Sequence, residues 1–275
     1  AALATWLMVS GCAAQEKLAT QPSEQSRLTS DVARTLAESR VAGEQPVLPF
    51  LRVNMKQRYV DLDGSIVLRE GPLELVACVS NTKEHESIVL LKSRPQHIHL
   101  ALMMLGIEPG RPGTWEYGDK EIIVKDAQGP KIQVTLRYAE AEDKVVERPI
   151  NELVRADVDE EEDAKVLPSN VFIFAGSQIA ELPDGRKVYG ADLSGNVISL
   201  VTFGDDLLAW PDAASTDNAA LMWEANTPEI PPLKTPVVVR LRAVPPAGEK
   251  AGPGEAGDDA APAEDTGNSG DAGSP

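Results

Sequence analysis

The sequence predicts an α+β fold, predominantly antiparallel β with one core helix at about residues 95–105, and three observations predict it. β-Prone runs are separated by Asp-Gly and Gly-Asn dipeptides, residue types that tolerate the positive φ of a tight hairpin turn. One stretch, "SRPQHIHLALMMLG" from Ser93 to Gly106, carries the start signal, apolar content and stop signal of a core helix. The 275 residues are 42% hydrophobic but only 4% aromatic, so Leu, Val, Ile and Ala must build the core.

Residues 1–11 with Cys12 read "AALATWLMVSGC", an apolar run followed by small residues and a cysteine. The pattern resembles the end of a bacterial lipoprotein signal, with the Cys12 thiol carrying diacylglycerol. The run is too short to cross a bilayer, which needs about 20 apolar residues. The expectation is therefore a protein of the bacterial cell envelope, on the extracytoplasmic, periplasmic face. Its partner there is the membrane, through the N-terminal lipid. Residues 12–49 then form the lipidated cysteine and a polar tether, with a mean reach of about 30 Å for a flexible coil. Within it "SDVARTLAESR" offers a short helix capped by Ser30, without an apolar face to bury.

The folded domain is expected over residues 50–244. Asp63-Gly64, Asp184-Gly185 and Gly195-Asn196 mark hairpin turns. Strand candidates are Leu73 to Cys78, Ser87 to Leu91, Ile132 to Tyr138, Val171 to Ile179, Ala220 to Ala225 and Val237 to Arg242. Ser93 is placed to cap the helix, Pro95 is tolerated in its first turn, and Gly106 ends it. The carboxylate run Asp157 to Asp163 lacks the glycine and ligand spacing of a calcium loop and reads as a solvated loop. Residues 245–275 are Gly, Pro, Ala, Asp and Glu with almost no large apolar side chain, the composition of a disordered acidic tail.

The formal net charge of −17 argues against a nucleic-acid partner, because phosphate backbones are held by clustered Lys and Arg. With Cys12 lipidated, Cys78 is the remaining thiol and has no cysteine to pair with. Two cysteines also cannot supply a four-thiolate iron–sulfur or zinc site.

"REGPLELVACVSNTKEHESIV", "HIHLALMMLGIEPGRPG", "VFIFAGS" and "PPLKTPVVVRL" resemble the YdjY-domain proteins, a bacterial envelope family without an established activity. The resemblance runs from about Arg52 to Arg242. His85 and His99 fall on its motif positions, and it implies no catalytic residues. Some members stand alongside iron–sulfur proteins, a role for which this chain lacks the cysteines.

Every histidine of the chain lies between Glu84 and His99. Read as an antiparallel hairpin about Asn81-Thr82, the segment from Leu73 to Leu91 sets Cys78 opposite His85. Leu73, Leu75, Ile88 and Leu90 then share a core face. A thiol across from an imidazole suits a soft metal such as zinc or copper, or an activated nucleophile, with Glu84 or Glu86 beside it. The candidate metal or partner site is thus Cys78, Glu84, His85, Glu86 and His99. His99 stands apart by helix and strand geometry, and packing or hydrogen bonding is its simplest role. No cofactor is firmly implied, and no phosphate loop, nucleophile elbow or paired-histidine zinc motif is present. Three functions stay open. The first is a non-catalytic module that binds an envelope protein or polymer, the second a metal-binding or redox-accessory domain, and the third a thiol enzyme.

Overall fold

The computed structural model describes residues 44–117, 122–141, 144–156, 165–211 and 223–245. The expectations for residues 1–43, the carboxylate run and the tail beyond residue 245 lie outside the described residues.

The strands of the first half are β1 (Glu44–Leu48), β2 (Leu51–Asn54), β3 (Tyr59–Ile66), β4 (Leu75–Val79), β5 (Ser87–Leu91), β6 (Thr114–Tyr117), β7 (Ile122–Lys125) and β8 (Lys131–Ala141). Then follow β9 (Lys144–Pro149), β10 (Val154–Ala156), β11 (Val171–Phe174), β12 (Ile179–Glu181), β13 (Lys187–Tyr189), β14 (Ile198–Ser199), β15 (Leu208–Ala209), β16 (Trp223–Ala225) and β17 (Pro236–Ala243). The helices are α1 (Pro95–Met104) and α2 (Gly190–Ser194).

Eight strands close a mixed, largely antiparallel barrel in the order β3-β17-β8-β11-β15-β14-β4-β5, with β5 returning to β3. The β14–β15 and β4–β5 pairs run parallel. β1 and β2 extend the sheet outside β3, and β9 pairs with β8. An eight-stranded barrel is narrow enough for side chains to fill. Alternate residues do so: Val60 and Leu62 on β3, Val134 and Leu136 on β8, and Val239 and Leu241 on β17 join Phe172 and Phe174 in one buried core. α1 buries Pro95, Ile98, Ala101 and Leu102 and lies against β2 and β3.

The alternate residues of the same strands carry charge. Arg240 grips Asp61 through two hydrogen bonds of 2.8 Å, and its guanidinium stacks 3.8 Å from the Tyr59 ring. Arg52 pairs with Asp63 at 2.8 Å.

The predicted β-rich class, the core helix ending at Gly106 and the Asp184-Gly185 hairpin are all present. Gly185 has φ +81, and β12 and β13 pair antiparallel about it. Four local expectations are corrected. Asp63-Gly64 is no turn: β3 runs straight through it and there exchanges β2 for β5 as its neighbour. Glycine is needed at 64 because a Cβ would stand 2.9 Å from the Leu90 carbonyl oxygen. Gly195 ends the short helix α2 at φ +82 instead of turning a hairpin. The run from Val171 to Ile179 breaks into β11 and β12 at Gly176 and Ser177, whose φ values of +86 and +57 leave the strand region. Ser93 does not cap α1; its hydroxyl donates to the Phe50 carbonyl at 2.8 Å and to Pro49 at 3.3 Å.

The fifth correction concerns the segment from Leu73 to Leu91, which is not an antiparallel hairpin. β4 and β5 pair in parallel, with Leu75 opposite Ser87, Ala77 opposite Val89 and Cys78 opposite Leu90. Asn81 turns the chain at φ +64, Glu84 accepts the N–H groups of Asn81 and Thr82 at 2.5 and 2.9 Å, and a 3₁₀ turn over Glu84–Glu86 carries it back. Leu75 to Cys78 and Ser87 to Val89 are all buried. Parallel strands of a closed sheet are covered on both faces, so side-chain alternation could not report their register.

Candidate functional site

The last residues of β4 and β5 open onto a cleft of about 440 Å³. Its walls are Phe50 from the β1–β2 turn, Ser65 of β3, Val79 and Ser80, Leu90 to Arg94, Pro95 of α1 and Asp192 of α2. The chain places these groups by local necessity. Ser93 holds the β1–β2 turn through the two carbonyls above, which presents Phe50 at φ +61 with 52% of its surface exposed. A bulky side chain in the left-handed region is uncommon and its backbone strain costs on the order of 1 kcal/mol. The Lys92 ammonium lies 5.9 Å from the Phe50 ring centre. Arg94 donates to Asp192 at 2.6 Å, and the same carboxylate accepts the Gln96 N–H at 2.8 Å. The cleft is therefore lined by an aromatic ring, the exposed cation of Lys92, the serines Ser65 and Ser80, and the apolar Val79, Leu90 and Leu91.

Cys78 lies one residue before the cleft and is 0% exposed. Burial pushes its thiol up, while the Ser87 and Thr82 hydroxyls pull more weakly the other way. A raised thiol holds its proton at neutral pH and is a poor nucleophile and metal ligand. His85 is not beside it. Its side chain is 73% exposed on the 3₁₀ turn and its Nε2 stands 3.5 Å from the Glu86 carboxylate. Glu84 serves the turn: its ionisation is opposed by burial but favoured overall by the N–H groups it accepts. Glu86 shares its environment with Glu74. Burial and the hydrogen bond to Glu74 push Glu86 up, and Lys83, 2.8 Å from Glu74, keeps that partner ionised. Among the described residues no group of three or more His, Cys, Asp or Glu side chains is arranged to hold a metal ion.

His99 belongs to another part of the barrel, as helix geometry requires. Its Nδ1 lies 2.8 Å from the Tyr189 hydroxyl and 3.1 Å from the Gly176 carbonyl, and Tyr189 itself donates to Gly176 at 2.8 Å. The carbonyl can only accept, so Nδ1 carries the proton of the neutral ring. Phe174 and Tyr189 flank the imidazole edge-on. Burial lowers its pKa, and the Gly176 carbonyl opposes that shift. His97 is a third, separate case, with Nδ1 buried and unpartnered. The five sequence-predicted residues thus divide into a buried thiol, an acidic turn with an exposed imidazole, and a packed histidine. Sequence reading missed Phe50, Lys92 and Asp192. Their signal was faint: an aromatic after Pro49, a cation before a helix start, and an acid about a hundred residues away.

Residues 51–242 match the family described as the YdjY domain. The chain belongs to the YdjY domain family. The match spans the strands of the barrel from β2 to β17, so the YdjY domain of this chain is the closed barrel with α1 and α2 attached. No curated protein and no solved structure matches the chain.

Proposed function

We propose that this YdjY domain is a non-catalytic binding module of a bacterial envelope lipoprotein, tethered by acylated Cys12 and taking an envelope protein or polymer into the β4–β5 cleft. The cleft carries the reading. Phe50 is held exposed in a strained backbone conformation beside Lys92, at the mouth of a groove with hydroxyls on its wall. Such a platform suits a sugar ring or an apolar side chain flanked by a carboxylate. The thiol-enzyme alternative has less support, because Cys78 is enclosed and no imidazole orients it. The metal-accessory alternative has no ligand set among the described residues.

Two measurements test the proposal. Mass spectrometry of the mature protein from native membranes should find an acylated N-terminal Cys12, and a chain retaining residues 1–11 would end the lipoprotein reading. For the cleft, the full chain should be retained by isolated peptidoglycan or by solubilised envelope protein. Phe50→Asn with Lys92→Ala should weaken that retention about tenfold. Asn tolerates the left-handed backbone, so it removes the ring without adding strain. Equal retention of the double variant would reject the cleft.

A further inference from the structure

A surface helix normally turns polar residues to water. The C-terminal half of α1 does not. Ile98, Ala101 and Leu102 are buried on one side, and Leu100, Met103 and Met104 on the opposite side are 48%, 47% and 40% exposed. At 3.6 residues per turn those three form one continuous outer stripe. The helix is apolar on both faces and only the inner one is covered.

The adjoining turn between β2 and β3 continues the surface. Arg58 reaches the Leu105 carbonyl at the end of α1, at 3.4 Å, and Met55 in the same turn is 55% exposed. Lys56 and Arg58 are exposed beside it. Met55, Met103 and Met104 are the methionines among the described residues, and all are on this side; their flexible thioethers adapt to irregular apolar surroundings. Two cations at the end of an apolar stripe stand out in a chain of net charge −17.

The chain path supplies the second observation. β1 enters the fold at Glu44, whose register partner is Asn54, the residue before Met55. The described chain therefore begins at the edge of this surface.

We propose that the outer face of α1, with the Met55–Arg58 turn, docks onto the anionic lipid surface to which the chain is tethered. This rests on the lipoprotein reading above only for the tether; the docking itself needs no acyl chain. An amphipathic surface of this kind lays its apolar side chains at the headgroup boundary while Lys and Arg face anionic headgroups. A tether of about 30 residues keeps the membrane at high effective concentration, so weak contacts suffice.

The test uses the full chain with Cys12→Ser, which removes the acyl site and so separates docking from anchoring. In flotation with phosphatidylglycerol-containing vesicles at low salt, this chain should rise with the lipid. It should stay behind with phosphatidylcholine alone, and should be released by high salt. Leu100→Asp with Met103→Asp should weaken recovery about tenfold or more, and Lys56→Glu with Arg58→Glu should abolish the preference for anionic lipid. These positions are exposed, so unchanged thermal melting shows that the variants fold. Equal recovery of the aspartate variant, or no recovery of the Cys12→Ser chain with anionic vesicles, overturns the proposal. So does sedimentation showing that the stripe is buried in a dimer. Failure of Cys12 acylation would be read by mass spectrometry alone and would leave the flotation result intact.

Discussion

The Asp192 carboxylate accepts the Gln96 backbone N–H at 2.8 Å while it receives the Arg94 guanidinium at 2.6 Å. One side chain of α2 thus satisfies a donor left open by the first turn of α1 and fixes one wall of the cleft. Asp192→Ala should destabilise the domain by about 1–2 kcal/mol. Arg94→Ala removes an exposed partner and should cost no more than about 1 kcal/mol. Urea unfolding of the two variants checks this, and equal losses would contradict the capping role.

Asp61 and Arg240 form a buried pair, with Glu147 also reaching Arg240 at 3.2 Å. Removing Asp61 takes from Arg240 a carboxylate at 2.8 Å and from Arg137 one at 3.5 Å in a poorly hydrated place, with Glu147 still within 3.4 Å of both guanidinium groups. Asp61→Ala should therefore cost about 3–5 kcal/mol, whereas Asp61→Leu with Arg240→Met should cost much less. Denaturant midpoints of the single and double variants decide it. A double variant as unstable as the single would show that the pair is favourable beyond mutual neutralisation.

Buried Asp206 and half-buried His99 give stability opposite pH slopes. Burial pushes Asp206 up to about 6, against the pull of the Phe203 and Gly204 N–H groups it accepts. Its folded pKa lies above the unfolded one, so its contribution is complete below about 4 and is lost as pH rises through about 6. Asp206→Asn should remove a decline of up to about 3 kcal/mol across that window. His99 is shifted down by burial. Its contribution is present above about 6.5 and is lost as pH falls through the lower folded value. His99→Asn keeps a donor near Nδ1 and should flatten the acid limb. Calorimetric melting from pH 4 to 8 separates the two, and identical profiles in all three proteins would refute both assignments.

Cys78 is enclosed, so its labelling should require opening of the fold. In the full chain with Cys12→Ser, a thiol reagent should react many-fold more slowly under native conditions than in denaturant. Native labelling as fast as that of a free thiol would reopen the catalytic reading.

How much was legible in the sequence follows from where each signal is local. α1 announced itself through Pro95 and Gly106, and the β12–β13 hairpin through Asp184-Gly185, because a proline, a glycine and a turn speak within a few residues. Asp63-Gly64 carried the same dipeptide as that hairpin but answers to a distant contact, the Leu90 carbonyl, that no local pattern reports. The β4–β5 register failed for a related reason: both faces are covered, so Leu75 to Cys78 carry no alternation to read. His85 and His99 have separate partners, Glu86 on the 3₁₀ turn for the one and Tyr189 with Gly176 for the other. Phe50, Lys92 and Asp192 come together only through barrel closure, and their types alone did not distinguish them.

Partner binding at the cleft is tested most directly by placing a photo-crosslinking residue at Lys92 of the full chain in intact cells, with Glu181 of the remote β12–β13 hairpin as the comparison site. Binding through the cleft predicts discrete adducts from position 92 that are absent from position 181 and that disappear when Phe50→Asn is added. Adducts from position 92 that match those from 181, or that survive Phe50→Asn unchanged, would contradict it.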